Sequence, residues 1–203
     1  QVLEFAKQNN VKILDLRFTD LPGLWHHISF PISQLSESSF EDGYGIDGSS
    51  IRGWAQIHES DMLLIPDPAT AFLDPFRDVP TLVMIGDVID PVTKQPYPRD
   101  PRHIARKAEA YLGFSGVADQ AFFGAEAEFF IFDNIRFDQR EQHGFYFIDA
   151  EEGRWNSGRE QHNLGYRPRF KEGYFPVPPT DHYMDLRTDM TQQMIACGLH
   201  VEC

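Results

Sequence analysis

Apolar and polar positions alternate from Val11 to Phe18, which places Leu14, Leu16 and Phe18 on one side of an extended chain. The spacing of Val2, Leu3, Phe5 and Ala6 ahead of it predicts a short amphipathic helix, ended by Asn9-Asn10. After the strand, Asp20-Leu21-Pro22-Gly23 reads as a turn into Leu24 to Phe30, a run rich in aromatic and β-branched residues. Met62 to Ile65 and Thr81 to Val88 are two more apolar strands, bounded by Pro66-Asp67-Pro68 and by Asp90-Pro91. Strands with few helices between them predict a small antiparallel or mixed sheet over residues 11 to about 90.

The stretch Asp90 to Asp100 carries Pro91, Pro96 and Pro98 and reads as a domain boundary, with one domain over 1–98 and another over 99–203. Asp100 as N-cap and Pro101 in the first turn open a helix. Ile104, Ala108 and Leu112 share a face of it, and Gly113 is placed to end it. Ala121 to Phe132 is predicted as a strand, followed by a long polar, Gly-containing region from Asp133 to Thr180. Asp181 is predicted to cap a helix bearing Met184, Met190, Met194 and Ile195, closed by Gly198. Leu199 to Cys203 alternate like the beginning of a strand, so the chain reads as one cut before its second domain is complete. The class is α+β.

Charge narrows the partners. With 18 basic and 31 acidic residues the formal balance is −13, which gives no electrostatic footprint for nucleic acid or an anionic membrane surface. Seventeen Phe supply a core and argue against disorder. Cys197 and Cys203 make neither a disulfide framework nor a zinc spacing, and reduced thiols in the cytoplasm are the simpler account. No stretch approaches the roughly 18 apolar residues of a membrane span. Gln1 to Asn10 lack the pattern of a signal peptide.

Gly43-Tyr44-Gly45-Ile46-Asp47-Gly48 satisfies the GxGxxG spacing but lacks its context, since polar residues precede it and Ser49-Ser50 follow. A flexible loop presenting Asp47 and two serines is the expectation there. The histidines form no metal motif. His26 and His27, adjacent on a strand, point to opposite faces, and no second His follows His58-Glu59 at the zinc-peptidase spacing.

The most unusual stretch is Phe122-Phe123-Gly124-Ala125-Glu126-Ala127-Glu128-Phe129-Phe130-Ile131-Phe132, apolar on both faces like a doubly buried strand. Period two would put Glu126 and Glu128 on one face, roughly 6–7 Å apart. Two buried carboxylates require compensation. A hard divalent cation supplies it, and so would salt bridges to Arg or Lys. Gly173-Tyr174-Phe175-Pro176-Val177-Pro178-Pro179-Thr180 is a rigid aromatic loop, and Glu202 by itself signals little.

These segments occur in one order with Asp15-Leu16-Arg17-Phe18-Thr19-Asp20, Asp47-Gly48-Ser49-Ser50-Ile51, Glu59-Ser60-Asp61-Met62, Asp74-Pro75-Phe76 and Arg99-Asp100-Pro101-Arg102. As a set they resemble glutamine synthetase of the bacterial type I class, across nearly the whole chain. The resemblance implies a β-grasp domain at the front and the first, incomplete part of the catalytic domain behind it. It implies a ligase in which ATP phosphorylates the side-chain carboxylate of glutamate and ammonia displaces the phosphate. It assigns Glu126 and Glu128 as metal ligands, one for each of two Mg²⁺ or Mn²⁺ ions. It assigns Asp47, as a catalytic residue, with Ser50 and Tyr174 to the ammonium site, and Glu202 to the ATP site. The Asp47 loop would serve a neighbouring subunit, so a homo-oligomer, typically of stacked rings, is implied. Ala125 and Ala127 stand where the family commonly has proline. The His, Glu and Arg residues that complete the family's sites would lie beyond Cys203.

Two other functions compete. One is a related ligase joining glutamate to a different amine, against which the Asp47-Gly48-Ser49-Ser50 loop argues. The other is a truncated, non-catalytic homologue that binds or regulates such an enzyme.

Overall fold

Leu14 and Leu16, both wholly removed from solvent, mark where the chain folds on itself. The computed structural model describes residues 1–55, 60–156 and 166–202. They form two compact units, residues 1–122 with 195–202, and residues 123–194.

In the first unit, α1 (Val2–Gln8) leads into β1 (Ile13–Thr19) and β2 (Trp25–Pro31), joined as the predicted antiparallel hairpin. A short helix α2 (Ser39–Asp42) precedes β3 (Tyr44–Asp47) and β4 (Asp61–Pro66). The two-residue β5 (Phe72–Leu73) and the nine-residue β6 (Thr81–Ile89) complete a sheet of order β2-β1-β6-β4-β3, with β5 also on β6. The sheet is mixed. β6 runs parallel to β1, with Ile13 opposite Thr81, and antiparallel to β4 and β5. Its central place explains why Thr81 to Met84 are buried on both faces, whereas the edge strand β2 alternates exposed and half-buried residues.

Leu14, Leu16 and Phe18 face a core that includes Leu35, Ile51, Trp54, Met62, Leu64, Leu82, Met84 and Val88, and α1 adds Ala6 to it. Burial of these side chains, at about 25 cal/mol per Å² of apolar surface, is the main favourable contribution to this unit.

The expected helix follows as α3 (Pro101–Ser115). Asp100 caps it, accepting the Arg102 amide at 2.9 Å and, across to β6, the Val88 amide at 3.1 Å. Burial pushes this carboxyl above its ordinary value. The end differs from expectation: Gly113 stays inside, and Gly116, at φ +70°, makes the left-handed cap. Arg102 and Arg106 both pair with Asp67 and Asp87, tying the first turns of α3 to β6 and to the turn after β4. No α3 residue is buried, and Tyr111 and Phe114 are open to solvent.

The second unit departs further from the sequence reading. The strand expected over Ala121 to Phe132 is absent. Phe123 and Phe130 are 94% and 85% exposed, and Glu126 and Glu128 are exposed with them. The expectation of two carboxylates on one face of a buried strand is therefore overturned for this chain. The reason is pairing. A strand needs a neighbour for its backbone groups, and no described strand of this unit pairs with this segment. Only the period survives in part: Phe130 and Phe132 stack at 5.7 Å, the i, i+2 relation of an extended chain.

The region read as polar loop contains a hairpin, β7 (Asn134–Gln139) and β8 (Gly144–Asp149). The Arg140 amide donates to the His143 carbonyl across its turn, and Arg136 lies 4.4 Å over the Phe147 ring. Further on, α4 runs over Met184–Ala196, starting later than expected. Asp181 lies ahead of it rather than at its cap, paired with Arg187 of the helix. Gly198 closes it as expected, at φ +84°. Leu199 to Glu202 form no strand, and Cys203 lies outside the described residues.

Candidate functional site

Asp47 is the last residue of β3, an outer strand whose alternation sends Tyr44 and Ile46 inward and Asp47 outward. A single 3₁₀ turn, Gly48–Ser50, follows directly. One Asp47 oxygen accepts the Ser49 amide at 2.9 Å and the Ser49 hydroxyl at 2.7 Å, and the other accepts the Ser50 hydroxyl at 3.0 Å. The Asp-Gly-Ser-Ser order makes this geometry locally, because Asp and Ser side chains readily bond backbone two or three residues on. The loop is thus more ordered than the flexible presentation predicted, and among the described residues no α-helix follows it directly as a dinucleotide fold requires.

Gly48 is needed for close approach. A Cβ there would lie 2.7 Å from the Met62 side chain, and its amide donates to the Ser60 carbonyl at 2.7 Å. The far side of the loop is anchored by buried Ile51 and Trp54, the latter against Phe18 at 5.5 Å and Tyr97 at 5.2 Å. The Ser49 hydroxyl, then the Ser49 amide and the Ser50 hydroxyl, hold the Asp47 carboxyl below the ordinary aspartate range. The result is a fixed, exposed anion at neutral pH, suited to attracting a cation.

The remaining predicted site residues are placed as follows. Ser50 sits with Asp47 in the first unit, and Glu202 is also assigned there, exposed. Glu126, Glu128 and Tyr174 belong to the second unit, all exposed, with the Tyr174 ring edge-on to Phe175 at 5.3 Å. Among the described residues no group of three His, Cys, Asp or Glu side chains is arranged to hold a metal ion. His58 and Glu59 lie outside the described residues.

Sequence reasoning missed a polar cluster on the other face of β1. Asp15, 4% exposed, accepts His27 Nδ1 at 2.6 Å, the Ser29 hydroxyl at 2.7 Å and Arg17 Nε at 2.9 Å. Arg17 reaches on to Asp74 at 2.6 Å. The signal was present in Asp15 and Arg17, two charges at period two inside an apolar strand. His26 points the other way, as expected for its neighbour, and meets Asp20 at 2.8 Å. Burial pushes the Asp15 carboxyl up, but the bonds from His27, Ser29 and Arg17 outweigh it and leave the value below normal. A carboxyl lowered on folding adds stability above its unfolded value, near 3.9. That stability is lost as pH falls through the lower folded value. Asp15→Asn is expected to destabilise the chain at pH 7, with the gap to the parent closing below about pH 4. Urea unfolding at both pH values measures it, and a gap unchanged with pH would contradict the assignment.

Comparison with known proteins agrees with this architecture. The family model "Glutamine synthetase, beta-Grasp domain" matches residues 10–91, and "Glutamine synthetase, catalytic domain" matches residues 98–203. The chain is 52% identical over 203 residues to a glutamine synthetase of Frankia alni, covering 99% of this chain and 43% of that one. Identity to the glutamine synthetase of Mycobacterium tuberculosis is 52% over 206 residues, covering 99% and 43%. The chain thus spans less than half the length of these relatives. In fold it is similar to a Plasmodium falciparum glutamine synthetase, with a TM-score of 0.83 at 20% identity, over 100% of this chain and 40% of that one. With both family models matched in order along it, the chain belongs to the glutamine synthetase family.

Proposed function

We propose that this chain is the amino-terminal part of an ATP-dependent glutamate–ammonia ligase and that Asp47 supplies its ammonium site. The observation that carries the reading is the exposed carboxylate fixed by Ser49 and Ser50 at the end of β3. A carboxylate held below its ordinary pKa is a weak base, so its first contribution is to attract NH₄⁺. Only the neutral amine is nucleophilic. NH₄⁺ first gives one proton to Asp47 or to water. The nitrogen of the resulting ammonia attacks the acyl carbon of glutamyl phosphate, the bond from that carbon to the phosphate oxygen breaks, and inorganic phosphate leaves. The nitrogen gives its one surplus proton to the same acceptor. Ser50 and Tyr174 are proposed to share the ammonium pocket, and Glu202 to border the nucleotide.

Glu126 and Glu128 are proposed as two of the carboxylate ligands for Mg²⁺ or Mn²⁺ in the complete enzyme. The domain change is placed near residue 98, supported by the proline-rich 90–100 segment. The enzyme is further proposed to be cytoplasmic and a homo-oligomer in which the Asp47 loop serves a neighbouring subunit. No helix among the described residues is long and apolar enough to cross a membrane.

The test is glutamine formation by the full-length enzyme from glutamate, ammonia and ATP. Activity with another amine but none with ammonia would overturn the reading. The 203-residue chain by itself is expected to form no glutamine and to bind Mn²⁺ only weakly, at about millimolar or above, because metal affinity follows ligand count and charge. Titration calorimetry showing two tight sites per chain would contradict that.

A further inference from the structure

A side chain distant in sequence holds the loop after Asp47 from outside. Arg99 Nη1 donates to the Gly53 carbonyl at 2.7 Å and to the Trp54 carbonyl at 2.7 Å, reaching 46 and 45 residues back along the chain. The segment that carries Arg99 is itself fixed. The Tyr97 amide donates to the Val88 carbonyl at 2.8 Å, the Tyr97 ring packs on Trp54, and Asp100 accepts the Val88 amide. Between Asp47 and the clamp lie only Gly48 to Arg52, closed at their base by a 3.5 Å bond from the Ala55 amide to the Gly48 carbonyl. Two carbonyls at the end of a tight turn need donors, and a guanidinium nitrogen with two hydrogens satisfies both at once.

We propose that Arg99 is a positioning residue for the reaction: it fixes the Gly48–Trp54 loop and so sets where the Asp47 carboxylate stands. The inference rests on the ammonium-site reading of Asp47. Its consequence is selective. Losing the clamp lets the Asp47 end of the loop wander, which weakens ammonium capture while leaving glutamate and nucleotide binding in place. Misplacement by about 1 Å is enough to change rates substantially.

The experiment uses the full-length enzyme with ammonia, glutamate and ATP varied in turn. Arg99→Ala is expected to raise KM for ammonia roughly tenfold, with kcat and the other two KM values within about twofold. Arg99→Lys, whose ammonium can donate to both carbonyls, is expected to restore most of the loss. In the 203-residue chain, amide hydrogen exchange at Gly48 and Ala55 is expected to quicken in Arg99→Ala and to recover in Arg99→Lys. Should Arg99→Ala fail to fold, Arg99→Gln takes its place with the same expectation. Parent-like ammonia kinetics, or an equal loss toward all three substrates, overturns the proposal. If Asp47→Asn is impaired toward ammonia while Arg99 variants are not, the clamp alone is wrong. If Asp47→Asn is unimpaired, the ammonium reading itself falls.

Discussion

Asp47→Asn in the full-length enzyme is expected to lower kcat/KM for ammonia by about one to two orders of magnitude. A hydrogen bond or contact to a charged group contributes about 1.5–3 kcal/mol, and each 1.4 kcal/mol is tenfold. Asparagine preserves the turn. Its single amide oxygen still accepts from the Ser49 amide and hydroxyl, and the Ser50 hydroxyl rotates to accept from its NH₂. What disappears is the charge. If Asp47 served only to cap the 3₁₀ turn, asparagine would do as well, because it makes the same turn. Steady-state kinetics with ammonia varied at saturating ATP and glutamate separates the two roles. An unchanged kcat/KM for ammonia would falsify the assignment. A partial defect, with KM raised and kcat near normal, identifies the residue as a cation-binding group rather than the sole proton acceptor.

Leu64→Ala carries the largest expected change in stability, a loss of about 3–5 kcal/mol. Leu64 is wholly buried at the middle of β4, with Tyr44 opposite on β3 and Val88 opposite on β6. Its side chain fills the space above Gly86, where a Cβ would come within 2.5 Å of it. Removing it leaves a cavity that three fixed strands cannot close. The neighbouring Asp47 loop hangs on β3, so the same variant should also weaken the site. Urea unfolding of the 203-residue chain measures the change, with Leu24→Ala, at the exposed tip of the β1–β2 hairpin, as the comparison within about 0.5 kcal/mol of the parent. A loss under about 1 kcal/mol for Leu64→Ala would show that β4 is not part of the cooperative core.

Most of the first unit was legible because its signals are local. The alternation in β1, the turn at Asp20 to Gly23 and the Asp100-Pro101 start of α3 all depend on residues within a few positions of one another. The hairpin β7–β8 had comparable signals, Ile135 and Phe137 alternating with polar residues and Phe145 to Ile148 after Gly144. The polar composition of the wider region hid them. The expected strand over Ala121 to Phe132 failed for the opposite reason. Its apolar residues describe a surface that wants burial on both sides, and no described strand pairs with it.

The Asp47 site divides along the same line. Sequence alone marked the Asp-Gly-Ser-Ser segment as a loop presenting Asp47 and two serines, and its order comes from Asx and serine bonds that span only two or three residues. It also determined the faces of β1, β2, β4 and β6, because side-chain direction alternates along any strand. Tertiary structure decided the rest. The parallel pairing of β1 with β6, the bond from Arg17 to Asp74 and the reach of Arg99 to Gly53 and Trp54 join residues that no local rule brings together. Each of those contacts closes a long loop, and the packed core offsets the ordering entropy that this costs.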